Sequence, residues 1–165
     1  MIEPLHIIID SREQRPWSWA ENDAATSVRS LVAGDYALAS DCEEVKGRER
    51  LAVRFAIERK SLDDFLGTIS VGWDRFQREL IRMESFPARV VIVESDFESC
   101  CFRVDDSGVI VAPKHNHPML TPNFVARRIA ELTMQNISVL FGGNSQLSAG
   151  LAFRIFKRRL DNARI

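Results

Sequence analysis

A chain of 165 residues can bury a core without disulfide or metal staples, and 45% hydrophobic with 27% charged residues is the balance of an ordinary globular domain. The longest apolar runs, such as residues 90–93, are strand-sized and too short to cross a bilayer. Met1–Ile2–Glu3–Pro4 lacks the basic-then-apolar pattern of a secretory leader. A net charge of −1 is neutral evidence on nucleic acid, although 18 of the 22 basic residues are arginine, whose planar fork suits phosphate as well as surface ion pairs.

Cys42, Cys100 and Cys101 form no CxxC pair, so they give neither a disulfide framework nor a zinc site and fit a reducing cytoplasm. The lack of nuclear-import-like basic clusters points to a prokaryotic or viral source. Repeats and Gly/Ser-rich linkers are absent, and one domain is expected over residues 1–165.

In chain order, Leu5–Asp10 reads as a β-branched strand stopped by the polar turn Ser11–Arg15 and Pro16. Gly34–Ala39 is a short strand after a turn. Leu51–Glu58 alternates, with Leu51, Val53, Phe55 and Ile57 facing one way, and Ser40–Arg50 links the two as a hairpin connection. Ser61 caps a helix with Asp64 three residues on. After 67–72 a second helix runs to about Ser85, with Trp73, Phe76, Leu80 and Met83 on one face and Arg75, Arg78 and Arg82 on the other. Arg89–Glu94 is a buried-type strand. Thr121–Pro122 opens a helix to about Gln135, Ile137–Phe141 is a strand closed by Gly142–Gly143, and Ser145–Leu160 is a helix with a basic end. Phe97–His117 is the least legible stretch, with a strand at Val109–Val111. Strands separated by helices predict an α/β domain with a central mixed sheet flanked by helices.

The chemistry concentrates between Asp10 and Asp64. Glu58 and Lys60, two apart at a strand end, emerge on one face. A carboxylate beside an ammonium suits metal-assisted phosphodiester hydrolysis: the carboxylate holds a divalent ion, and the lysine positions water or stabilises charge on phosphate. Asp35, behind Gly34, supplies a second carboxylate from the neighbouring strand. Asp10 and Glu13 stand at the end of the first strand and in its turn, placed to add ligands. Alone, a D…ExK triplet is a weak signal in a charged protein.

Three ordered motifs sharpen it: Ile9–Asp10–Ser11–Arg12–Glu13, Gly34–Asp35–Tyr36, and Ile57–Glu58–Arg59–Lys60–Ser61–Leu62–Asp63–Asp64, followed by Asp74–Arg75–Phe76–Gln77–Arg78–Glu79–Leu80. Together they resemble the nuclease domain of the XPF/Mus81 (ERCC4-type) family, whose hallmark is GD, a variable gap, ERK, three residues and D. The resemblance implies a restriction-endonuclease-like fold of the PD-(D/E)XK type. It also implies Mg2+- or Mn2+-dependent cleavage of branched, flap or fork DNA in repair and recombination. It makes Asp10, Glu13, Asp35 and Glu58 metal ligands, with the Arg59 backbone carbonyl as a further candidate, and Lys60 the catalytic lysine. Arg12 then supports the site or contacts phosphate, with Arg59, Arg75, Arg78 and Arg82 as further DNA contacts. The family's paired helix-hairpin-helix motifs and helicase find no room in 165 residues, so a stand-alone nuclease domain is expected, an active subunit able to form a homodimer.

Plainer readings stand beside these. Asp64 is accounted for by capping with Ser61, and Asp63 by the helix dipole. Arg75, Arg78 and Arg82 are either a solvated face or a phosphate-tracking stripe. Arg154, Lys157, Arg158 and Arg159 suit a helix C-terminus. His115 and His117 are expected as a loop pair and His6 packed at a strand start. Trp17 and Trp19 are expected to pack over the first strand rather than stack on bases. The rivals to a DNA endonuclease are a non-cleaving binding or scaffold module of the same fold and a nuclease with another nucleic-acid substrate.

Overall fold

The computed structural model describes residues 5–113, 117 and 120–162. Its elements are β1 (Leu5–Asp10), β2 (Ala24–Arg29), β3 (Tyr36–Leu38), a 3-10 turn (Ala39–Asp41), β4 (Cys42–Glu43), β5 (Ala52–Val53), β6 (Ile57–Lys60), α1 (Leu62–Ile69) and α2 (Trp73–Ile81). There follow β7 (Arg89–Val93), α3 (Phe97–Cys100), β8 (Arg103–Val104), β9 (Ile110–Val111), α4 (Pro122–Met134), β10 (Ile137–Phe141) and α5 (Ser145–Asn162).

Six strands form a mixed sheet in the order β10-β7-β6-β3-β1-β2, in which only β3 runs against its neighbours. Period-two alternation divides the core between the two faces. Ile7, Ile9, Ile57, Val90 and Ile92 pack with Ala149, Ala152 and Phe156 of α5. Val91 and Val93 point the other way, onto Phe65, Leu66, Phe76, Leu80, Val125 and Leu132 of α1, α2 and α4. A third cluster, around Ile8, Leu31, Ala37, Leu51 and Met83, lies under the β4–β5 hairpin.

The caps follow the sequence. Ser61 accepts from Asp64 N and Thr121 from Phe124 N, with Pro122 at the first helical position. Three expectations need correction. Leu51–Glu58 is not one strand: β5 pairs with β4, the chain bends at residues 54–56, and β6 joins the main sheet. Alternation runs through the bend because odd-numbered residues are buried on both sides of it, Leu51 and Val53 in one cluster and Phe55 and Ile57 in another. The second helix stops at Ile81 rather than near Ser85. His6 is exposed, bonded to Ser27 Oγ at 2.9 Å, because it faces outward between the buried Leu5 and Ile7. The strand Ala24–Arg29 is an addition to the elements expected: AATSVR has almost no apolar alternation, and as the edge strand it is mostly exposed. Trp17 and Trp19 pack as expected, Trp17 stacked on Tyr36 at 4.4 Å between ring centroids. Cys100 and Cys101 are buried free thiols, and burial pushes Cys100 up to about 12, which makes it inert.

Candidate active site

β1, β6 and β7 are parallel and β3 opposes them, so the end of β1, the start of β3 and the ends of β6 and β7 share one edge of the sheet. There they open into a cleft of about 860 Å3 lined by Arg12, Glu13, Asp35, Glu58, Lys60, Asp63, Asp64, Arg75 and Glu94 among others. A smaller hollow beside it, about 180 Å3, reaches Glu79 and Arg82 of the second helix and its end.

Gly34 sets the position of Asp35. Its φ of +74° is a left-handed conformation, and a Cβ there would lie 2.4 Å from that of Ala56. Only glycine lets this backbone press against the bend before β6. Asp35 N then donates to Ile57 O at 2.9 Å, and Asp35 Oδ2 accepts from Arg59 N at 2.7 Å. One residue beyond the Tyr36–Ile57 pair, Asp35 and Glu58 come face to face across the strands. Like charges so placed repel. Burial first, and the Glu58 charge second, push the Asp35 carboxyl up to about 8.

Alternation along β6 splits its charged triplet. Glu58 and Lys60 face the cleft, with Lys60 Nζ donating to Glu58 Oε1 at 2.7 Å and lying 5.6 Å from the centre of the Phe76 ring. Burial pulls the Lys60 ammonium down, but the Glu58 charge and hydrogen bond outweigh it, so it titrates above its usual range. Arg59 turns to the other side. It grips Glu94 through Nε at 2.9 Å and Nη2 at 2.7 Å, and reaches Glu13 through Nη1 at 3.1 Å. Trp17 Nε1 also donates to Glu94, at 2.5 Å, and Trp17 N donates to the Tyr36 hydroxyl at 2.9 Å. Arg59 thus binds two carboxylates, Glu94 and Glu13, that line the cleft wall with it. Glu94 is the member the sequence did not reveal; its only signal is a carboxylate at the end of the strand parallel to β6.

Asp10 is almost fully buried and does not line the cleft. Its Oδ1 accepts from Arg12 N and Nε at 2.9 and 2.6 Å, and its Oδ2 from Leu31 N at 2.7 Å. Burial raises its carboxyl, yet these bonds outweigh that and hold it below the usual range. Asp10 therefore fixes Arg12 at the cleft, while Glu13 is shared between Arg59 and Arg15 N. Arg75 and Arg82 border the hollows with Glu79 between them, and Arg78 is exposed outside both. Ser61 and Asp64 bond reciprocally, as a capping pair should. His117 lies 3.2 Å from Asp63, and His115 falls outside the described residues.

Among the described residues no three His, Cys, Asp or Glu side chains close on a common point as a metal cage. Lys60 and Arg59 explain this, since they draw Glu58 and Glu13 apart. The donor set nonetheless fits a hard divalent cation, because Asp35 and Glu58 present opposed oxygens whose repulsion such an ion would relieve, and magnesium needs few protein ligands.

The fold matches solved structures of XPF from Aeropyrum pernix. One gives a TM-score of 0.59 at 18% identity, covering 96% of this chain and 68% of that one. A second, of XPF in complex with DNA, gives 0.59 at 17% identity, covering 96% and 66%. The chain thus spans about two thirds of the length of these structures and shares their restriction-endonuclease-like fold. No curated protein sequence matches significantly. The profile of the ERCC4 domain matches residues 9–155, nearly the whole chain. A GD–ERK constellation on this sheet edge and that match agree, and the chain belongs to the ERCC4 domain family.

Proposed function

We propose that this chain is a divalent-metal-dependent endonuclease that hydrolyses one strand of DNA near a branch, flap or fork. The observation that carries the reading is the Asp35–Glu58 pair, two partly buried carboxylates forced together in an open cleft with Lys60 beside them. A fold does not need such a pair for stability; a phosphodiesterase needs it for a cation.

Asp35 and Glu58 would hold Mg2+ or Mn2+, with Glu13 at the cleft wall as a further oxygen. When bound, the ion would polarise the scissile phosphate and make water a nucleophile at neutral pH. Lys60 stays protonated and directs Nζ–H at the attacking water or a phosphate oxygen. Arg12, oriented by Asp10, and Arg75 supply positive charge at the mouth, where a phosphate backbone arrives. Asp10 acts as a positioning residue in this scheme.

The test is cleavage of labelled flap, fork, nicked and linear duplex DNA, with RNA controls, with and without Mg2+ or Mn2+. Wild type should cut branched DNA only with metal, and Asp35→Asn should bind without cutting. No cleavage of any substrate by folded wild type would overturn the reading in favour of a binding module. Preference for RNA or linear ends would overturn the substrate.

A further inference from the structure

Outside the catalytic cleft, the same sheet edge carries a second concave surface that the proposed chemistry does not use. Arg29, at the end of β2, sits in register with Asp10, and Glu44 on the β4–β5 hairpin pairs with it at 2.9 Å. Between that strand end and the hairpin loop lies a hollow of about 510 Å3, walled in part by Lys46, Gly47 and Arg48. Arg48 N donates to Val45 O at 2.9 Å and Gly47 has a φ of +81°, so the loop is a closed turn that presents Lys46 and Arg48 outward.

The charge here is one-sided. Arg29 neutralises Glu44 and Arg54 approaches Glu43 at 3.9 Å, which leaves the exposed Lys46, Arg48 and Arg50 against Glu49 in a chain whose net charge is −1. Among the described residues none of these three cations has an ion-pair partner. A merely solvated loop gains nothing from holding three unpaired cations beside one another. Position completes the case. Strands lie about 4.8 Å apart, so Arg29 stands roughly 10 Å from Asp35, with the loop beyond it. A DNA strand advances about 3.4 Å per nucleotide, so a duplex cut at Asp35 would bring phosphates over the loop a few nucleotides away.

We propose that the Val45–Arg50 loop is a second DNA site, which takes the sugar-phosphate backbone of the duplex arm flanking the cut. This rests on the nuclease reading above and adds to it the path of the DNA. Because its contacts are to phosphate, the loop adds affinity and orientation to an arm without reading sequence.

The experiment measures binding of flap DNA with long and with truncated duplex arms across a salt series. It compares Asp35→Asn with the same protein carrying K46Q, R48Q and R50Q. The loop variant should melt with its parent, because the altered side chains are exposed. Its plot of log affinity against log salt should flatten by about 2 to 3 for the long-armed DNA, with affinity about tenfold weaker at moderate salt. The truncated-arm DNA should show no difference. An unchanged slope, or equal weakening on both DNAs, overturns the loop's role and leaves the nuclease reading standing. Failure of the parent to bind any DNA overturns both.

Discussion

Replacing Asp35 with asparagine should stabilise the metal-free protein while abolishing its activity. Burial and the opposing Glu58 raise the Asp35 carboxyl from 3.8 to about 8. Between those values the native state keeps a proton that the unfolded chain has released, so stability falls as pH rises, by up to about 1.4 kcal/mol per pH unit. Asp10 and Glu94 have lowered values, so their contributions are present above the unfolded carboxylate range and constant from about pH 5 upward. They cancel in the comparison with the variant. The amide oxygen of the replacement can still accept from Arg59 N, which keeps the hydrogen bond that Asp35 makes there. The separation between the two proteins should therefore grow by about 4 kcal/mol from pH 4.5 to pH 8, or about 8–16 °C in melting temperature for a domain of this size. Thermal melts in chelator across that range are the assay. Saturating Mg2+ should then raise wild type and leave the variant nearly unmoved, since a ligand stabilises only the state that binds it. Parallel pH profiles for the two proteins in chelator, or a less stable variant at pH 8, would refute the charge-repulsion argument.

Lys60→Ala should bind Mn2+ more tightly, by roughly tenfold, because the ammonium that competes for Glu58 is gone, yet cut DNA about 100-fold more slowly; weaker metal binding, measured by titration calorimetry, would contradict this competition. Gly34→Ala forces a Cβ into that of Ala56 at a positive φ and should cost about 3 kcal/mol or more in chemical denaturation. Gly47→Ala, at a similar φ but with open space around it, should cost only about 1 kcal/mol, and equal losses would mean that packing at Gly34 is not the constraint. Arg159→Ala breaks the two-pronged pairing of α5 with the buried Asp41, at 2.7 and 2.6 Å, and should lower stability by about 2–3 kcal/mol without changing the cleavage rate at permissive temperature.

The sheet and the heart of the site were legible because both are written in short-range patterns. Apolar β-branched runs marked β1 and β7, alternation marked β6, serine and threonine marked helix starts, and the Gly-Asp-Tyr and Glu-Arg-Lys motifs marked Asp35 and Glu58. What stayed hidden depends on contacts between distant parts of the chain. Nothing near Glu94 announces that it will receive Trp17, 77 residues away, or Arg59, 35 away. Nothing near Asp41 announces Arg159, which the sequence presents as one more basic residue at a helix end. Arg59 itself sits inside the motif, and strand geometry alone implies that it faces away from Glu58 and Lys60. What the pattern does not supply is its partners, Glu94 and Glu13, which the fold brings to it. The strand Leu51–Glu58 shows the converse limit: alternation reports which residues are buried and is silent on which sheet buries them.

The division of β6 also explains how the fold tolerates its active site. Asp35 destabilises the metal-free cleft when ionised, because burial and the Glu58 charge raise the cost of its ionisation. Beside them, Arg59 makes two charge-assisted bonds to Glu94 and one to Glu13, and Trp17 ties Glu94 to Tyr36. Such bonds are worth about twice neutral ones, and here they join the turn after β1, the start of β3, the middle of β6 and the end of β7. Those are the segments that carry Glu13, Asp35, Glu58 and Lys60. These bonds hold the strands together against the repulsion of the opposed carboxylates, which in the proposed scheme a cation would relieve. A strand end carrying Glu-Arg-Lys suits this arrangement because alternation sends two charges into the cleft and the guanidinium to the clamp.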